Sequence, residues 1–360
     1  MRPWAAAAFA LTAFAVAAVG AGGADEATPI AVAKAGSDRA LAKSRAEGSK
    51  VLTDGLSIPW GLDFLPNRAA LVSERSSGDI LRIPKDGGRA KRVMRVPGVD
   101  RNAGEGGLLG IALSPDYRRD GLVFAYLTTK RDNRIVRFKL GERPKPILTG
   151  IERSTIHNGG RIAFGPDGLL YAGVGDAADT SNSQDSGSPN GKILRINRKG
   201  GVPKSNPFPG SPVYSLGHRN VQGLAWDRKD RLWATEFGQD RRDEVNLIKP
   251  GNNYGWPIVE GKGDTQGGKF TNPQVTWSPA QSSPSGAAIL GSTLYVAALQ
   301  GERLWQIPLK GKRAGKPKAT LKGRFGRLRT VEVAPDRSLW ITTSNDDRGG
   351  GPDKVVRLRP

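Results

Sequence analysis

Six stretches of this 360-residue chain carry one pattern: an apolar strand, a turn built on Pro-Asp or Gly, a second apolar strand, a polar loop, and a third strand with alternating side chains. The first copy runs WGLDFLPNRAALVSERSSGDILRI from Trp60, and the second runs GLLGIALSPDYRRDGLVFAYLTTKRDNRIVRF from Gly107. The third, GGRIAFGPDGLLYAGVGD, is closed by GKILRI; the others begin at Val221, Ser285 and Leu328. Equivalent positions, Phe64, Leu113, Phe164, Trp226, Ile289 and Val333, lie about 44 to 63 residues apart. A sheet this small cannot bury both faces alone, so the copies must stack on one another. Stacking four-stranded sheets radially gives a propeller, whose blades have this length. The expected fold is therefore all-β, a six-bladed β-propeller of four-stranded antiparallel sheets. No amphipathic helix recurs between the strands, which argues against a parallel α/β sheet. A large β-sandwich is the runner-up, but it predicts no such regular repeat.

Composition supports short strands and many turns, with 48 glycines and 25 prolines. The chain has no cysteine, which excludes disulfides, thiolate nucleophiles, zinc–thiolate sites, iron–sulfur clusters and covalent c-type haem. Residues 1–24, a lone Arg2 followed by an Ala-rich apolar stretch ending in small residues, have the form of a secretory signal peptide; a membrane anchor is the alternative. Residues 25–50 read as a flexible linker with a short helix around Asp38 to Ala46, and the propeller occupies 51–360. A secreted, periplasmic or cell-envelope location follows. The formal charge of +21 favours anionic partners. The cations are spread along the chain, with one denser run, KGKRAGKPK, at 310–318. That spread predicts a basic surface suited to an anionic cell envelope or anionic cofactor, and no nucleic-acid site.

Loops at one end of a propeller channel carry function on a rigid scaffold. His157, one of two histidines, precedes the first strand of the third repeat and is followed by Asn158, Gly159 and Gly160. It suits a catalytic base, a metal ligand or a strand cap. GHRN at 217–220 holds the equivalent place in the fourth repeat, offering Arg219 and Asn220, and GRLR at 326–329 brings Arg327 and Arg329 to the sixth. Several cations around one histidine suit a small anionic ligand. The insertions at 177–220 and 250–284 are expected to rim the pocket. GVGDAA at 173–178 imitates a dinucleotide fingerprint but is followed by DTSNSQDSGSPNG, which cannot form the required helix. DTSNSQDSGS and DRRDE offer oxygen donors for calcium without EF-hand spacing and read as solvated loops.

GEGGLLGIALSPDY, HNGGRIAFGPDGLLYAGVGD, YSLGHRNVQGLAWD, EFGQDRRDEVNLIKPGNNYGWP and GRLRTVEVAPD together resemble the soluble quinoprotein glucose and aldose sugar dehydrogenases, over residues 50–360. The resemblance implies PQQ and Ca2+ as cofactors, a small-molecule sugar as substrate and an external electron acceptor. It implies that His157 takes the proton of the sugar C1 hydroxyl, that Arg219 polarises the quinone oxygens, and that Asn220 hydrogen-bonds the cofactor. Arg327 and Arg329 would pair with its carboxylates. The carbonyls of Gly238 and Gln239 would hold calcium, and Trp277 would form an aromatic pocket wall. Three positions depart from the family's pattern: Glu105 replaces a glutamine and Gln300 a lysine at the cofactor site, and Ile156 replaces an acid or amide before the histidine. A carboxylate at 105 is expected to repel an anionic cofactor. These departures keep open a propeller that binds carbohydrate or cell-wall polymer without catalysis. A metal-dependent lactonase is a third reading.

Overall fold

The structure, a computed structural model, describes residues 48–360. The expected signal peptide, the Asp38–Ala46 helix and nearly all of the linker lie outside the described residues. The first strand, β1 (Ser49–Leu56), takes in the last two residues assigned to the linker and belongs to the last sheet. Blade one is β2 (Pro59–Phe64), β3 (Ala70–Glu74), β4 (Asp79–Ile83) and β5 (Lys91–Arg95). Blade two is β6 (Leu108–Leu113), β7 (Leu122–Thr128), β8 (Asn133–Lys139) and β9 (Lys145–Ile151). Blade three is β10 (Ile162–Phe164), β11 (Leu170–Gly173), β12 (Lys192–Ile196) and β13 (Val213–Leu216). Blade four is β14 (Val221–Trp226), β15 (Leu232–Glu236), β16 (Asp243–Ile248) and β17 (Val275–Trp277). Blade five is β18 (Pro284–Leu290), β19 (Thr293–Ala298) and β20 (Arg303–Lys310), its outer position shared by β21 (Arg313–Ala314) and β22 (Lys318–Thr320). Blade six is β23 (Leu328–Val333), β24 (Leu339–Thr343), β25 (Asp353–Leu358) and, outermost, β1.

All neighbouring strands within a blade are antiparallel, and the described chain is a six-bladed propeller, as the repeat requires. β1 pairs with β25 in the register Ser49↔Leu358 and Val51↔Val356, so the two ends of the propeller sequence share one sheet and close the ring. Apolar residues fill every seam between blades. Leu71, Ile80, Leu108 and Val136 pack between blades one and two, and Leu52, Val72, Trp340 and Val355 between six and one. Each large aliphatic side chain so buried contributes roughly 1.5–3 kcal/mol.

The innermost strands approach closely because they carry glycine where they pass one another. A Cβ on Gly110 would lie 2.3 Å from the Gly160 carbonyl, and one on Gly223 would lie 2.5 Å from that of Ser285. First strands run away from the channel end at which they start, and second strands return. Loops entering first strands therefore meet loops leaving second strands at one end. Five of the six repeat positions, Leu113, Phe164, Trp226, Ile289 and Val333, ring a cavity of about 350 Å³ with Asp63 and Glu332 among the inner-strand residues that line it. They stand at or near the far ends of the first strands, so this is the other mouth.

Candidate active site

A cavity of about 440 Å³ opens where those loops converge. Arg75 and Phe237 reach it from loops leaving second strands, as do Gln300 and Asp347. Glu105, Thr155, Ile156, Asn158, Gly159 and Arg327 reach it from loops entering first strands, and Trp60 and Arg329 from the first strands themselves.

His157 is held at three atoms. Its residue takes a left-handed backbone, φ 57°, which a non-glycine residue adopts only when its surroundings impose it. The N–H donates to Glu105 Oε2 at 2.9 Å, and the carbonyl accepts from Ala177 N–H at 3.2 Å. The ring Nδ1–H donates to Asp176 Oδ1 at 2.7 Å. An ionised carboxylate only accepts, so this bond places the hydrogen on Nδ1 and leaves the Nε2 lone pair free. Asp176 is fully buried, and its other oxygen accepts the Trp256 indole N–H at 2.9 Å. The Asn-Gly-Gly after the histidine has a physical cause. Asn158 anchors the loop to Asn133 of blade two, and a Cβ on Gly159 would meet the Gly173 carbonyl at 2.6 Å. From the opposite side, a Cβ on Gly175 would sit 1.8 Å from the His157 carbonyl, so only glycine permits the two loops to touch.

The far wall is cationic. Asp347 Oδ1 binds Arg75 at 2.6 Å, while its Oδ2 lies 3.7 Å from Arg327 and 3.6 Å from Arg329. Burial alone would raise the Asp347 carboxyl, but the three guanidiniums outweigh it and hold it below its ordinary value. One carboxylate cannot neutralise three arginines. Burial, and then the like charge of Arg75, push Arg329 down to about 9, so a polyanion placed here would relieve an existing electrostatic strain. Arg219 is buried beside the cavity, its guanidinium 5.5 Å from the Trp256 ring and 3.5 Å from the Phe237 carbonyl. Burial pushes it down as well, and the nearby carboxylates of Asp176, Glu260 and Glu105 counter that. Asn220 Oδ1 accepts from Gly159 N–H and the Gln222 amide. The buried Arg75 Nε, Arg219 Nε, Asn220 Nδ2 and Arg329 Nε have no hydrogen-bond partner among the described residues. Four buried donors left unmatched around one cavity fit an anionic, acceptor-rich ligand.

Nine of the ten site residues expected from sequence lie at this end. Arg327, Arg329, Glu105 and Gln300 line the cavity, while His157, Arg219 and Asn220 stand beside it, hydrogen-bonded to the lining residues Glu105, Phe237 and Gly159. Gly238 and Gln239 follow Phe237 in a turn organised by Glu260, whose Oε1 accepts the N–H groups of Gln239, Asp240, Arg241 and Arg242. Their own carbonyls accept no hydrogen bond from the described residues, as a site for a hard cation requires. Trp277 is not brought to the cavity. It lies on the outer strand of blade four, buried and stacked at 5.1 Å on Trp305 of blade five, where it fills the seam. The DRRDE segment is not a solvated loop throughout: Asp243 and Glu244 are buried, and Asp243 accepts from Gly238 and Ser283 N–H. Of the two insertions, Ser283 lines the cavity, Arg219 and Asn220 adjoin it, and Trp256 stands behind it, bracing Asp176 and Arg219. The second histidine, His218, is fully buried between Ser215 and Glu236.

Sequence reasoning missed Arg75, Asp176, Glu260 and Asp347. Asp176 had a signal, since it ends the GVGD string dismissed as a dinucleotide fingerprint. Arg75 and Asp347 follow the second strands of their blades, the same position in the repeat as Phe237 and Gln300.

A β-propeller with a carboxylate-oriented imidazole beside a channel-mouth cavity, where three arginines share one carboxylate, has the form of a site for a small anionic ligand. Comparison with known proteins narrows this. The chain belongs to the Glucose / Sorbosone dehydrogenase family, whose pattern matches residues 56–350. It is 51% identical to an aldose sugar dehydrogenase from Streptomyces coelicolor solved in its PQQ-bound form, with a TM-score of 0.81 over 86% of this chain and 98% of that one. It is 34% identical to quinoprotein glucose dehydrogenase B of Acinetobacter calcoaceticus, over 65% of this chain and 57% of that protein. Aldose sugar dehydrogenase YliI of Escherichia coli is 27% identical over 85% of this chain and 92% of its own length. These relatives are sugar-oxidising oxidoreductases.

Proposed function

We propose that the protein is a PQQ- and calcium-dependent dehydrogenase that oxidises the C1 hydroxyl of aldose sugars to the lactone. The observation that carries the proposal is the His157–Asp176 pair, with its free Nε2, set beside four unmatched buried donors. When bound, PQQ would supply a quinone able to accept a hydride, a proton with two electrons, from C1. His157 Nε2 accepts the hydroxyl proton, and Asp176 stabilises the imidazolium that forms. Arg327 and Arg329 hold the cofactor carboxylates, with Arg75 beside them. Arg219 and Asn220 turn donors toward the oxygens on which charge grows. The Gly238 and Gln239 carbonyls hold calcium, and Glu260 fixes the turn that presents them. Turnover would also require a separate electron acceptor. Export to the periplasm or cell envelope, as the N-terminal apolar segment suggests, belongs to the same proposal and is checked by fractionation of the expressing cells.

The non-catalytic alternative has no use for an imidazole locked in one tautomer. The lactonase alternative needs acidic and amide metal ligands lining the channel, and the cavity instead carries Arg75, Arg327 and Arg329. Titration of the purified chain with PQQ and calcium tests the proposal. Saturable binding and sugar-dependent reduction of an artificial acceptor, lost in His157→Ala with binding retained, is the expected result. Ligand binding without turnover in the native chain would overturn it.

A further inference from the structure

Glu105 replaces a neutral residue with a charge of the same sign as the expected cofactor, which on charge alone should harm the site. Its contacts give it a different task. The carboxylate makes one side-chain hydrogen bond among the described residues, and the donor is the backbone N–H of His157 at 2.9 Å. The backbone of the same residue returns to the same loop, since Glu105 N–H donates to the Thr155 carbonyl at 2.8 Å. The two segments approach closely enough that a Cβ on Gly104 would lie 2.4 Å from that carbonyl. The loop entering blade two therefore clamps the loop entering blade three at Thr155 and His157. The clamped residue is the one held with φ 57°.

The neighbouring Ile156 is exposed, so apolar packing does little to fix the His157 N–H at this point of the loop. We propose that Glu105 is a positioning residue for the catalytic base: its carboxylate fixes the left-handed backbone of His157 and so the placement of the imidazole beside the cavity. Asp176 sets the tautomer and ring plane, and Glu105 sets the position of the residue. The task needs an acceptor oxygen and not a negative charge, so a glutamine side chain performs it equally well. This inference rests on the dehydrogenase reading for its catalytic consequence, but its geometry stands alone.

Two variants test it. In Glu105→Gln the amide oxygen still accepts the His157 N–H, and in Glu105→Ala nothing does. With only two histidines in the chain, selective ¹⁵N-histidine labelling of the untagged protein gives two backbone amide signals. The expected result is that Glu105→Ala shifts the His157 amide signal and speeds its solvent exchange at least tenfold, while Glu105→Gln leaves both near the native values. In the PQQ-reconstituted protein at saturating PQQ, Glu105→Ala should lower kcat at least tenfold, and Glu105→Gln should restore kcat to within threefold. His157 amide exchange unchanged by Glu105→Ala would overturn the clamp, as would equal loss of kcat in both variants. A native chain that neither binds PQQ nor oxidises sugar would refute the functional reading instead, and the amide experiment would still decide the clamp.

Discussion

Asp176→Asn should lower kcat by at least about 100-fold while leaving cofactor affinity close to native. In the native chain Asp176 Oδ1 accepts from His157 Nδ1 and Ala178 N–H, and Oδ2 accepts from Trp256 Nε1. An asparagine has one acceptor oxygen for these three donors. If the oxygen stays toward His157, its NH₂ faces the Trp256 indole N–H, donor against donor, in a fully buried position. That costs about 1–3 kcal/mol. If the amide flips, its NH₂ donates to His157 Nδ1 and moves the ring hydrogen to Nε2, which can no longer accept a proton. A positioned base contributes about 10²–10⁴ in rate, and a factor of 100 corresponds to about 2.7 kcal/mol of barrier. The assay is steady-state oxidation of an aldose by reconstituted protein with an artificial acceptor, with PQQ binding followed separately by fluorescence. A folded, PQQ-saturated Asp176→Asn protein with kcat within threefold of native would refute the role assigned to the pair.

Other sites give independent expectations. Arg329→Gln removes a charge-assisted partner for the cofactor carboxylates, worth about 1.5–3 kcal/mol, and should raise the PQQ dissociation constant at least tenfold and flatten its salt dependence in fluorescence titrations. Trp277→Ala should destabilise the fold by about 3–5 kcal/mol in denaturant unfolding and leave KM for the sugar unchanged, because the ring packs in a seam. At the opposite channel mouth, burial pushes Glu332 up to about 8, with Arg161 opposing and Asp63 adding. Its carboxyl therefore stays protonated in the folded chain while already ionised in the unfolded one, and stability falls as pH rises from about 4.5 toward 8. Glu332→Gln, neutral throughout, should raise Tm more at pH 8 than at pH 5 in thermal melts.

The architecture was legible because a stacked sheet must repeat its apolar pattern. The spacing of Phe64, Leu113, Phe164, Trp226, Ile289 and Val333 marked the far ends of the first strands. The outer strands were not legible: β5 and β9 are largely exposed, carry Lys91, Arg92 and Lys145 in place of apolar alternation, and hydrogen-bond to only one neighbouring strand. Nor does any local pattern announce that β1 completes blade six, since that pairing joins Ser49 to Leu358. At the site, residues in loops that enter first strands could be aligned by the repeat, which brought out His157, Arg219 and Arg327. The pairings made by residues in loops that leave second strands were not legible. Asp176 reaches His157 from the loop after β11, and Asp347 meets Arg75 across a sequence separation of 272 residues. Trp277 went astray because an aromatic in a seam and an aromatic in a pocket wall look alike in sequence.

The most direct test of the central claim is anaerobic mixing of PQQ- and calcium-reconstituted protein with an aldose while the quinone spectrum is recorded. The proposed chemistry predicts a sugar-dependent loss of the oxidised-quinone absorbance, one equivalent per protein, in the native chain and not in His157→Ala. An unchanged spectrum with saturating sugar in the native protein, with PQQ bound, would contradict it.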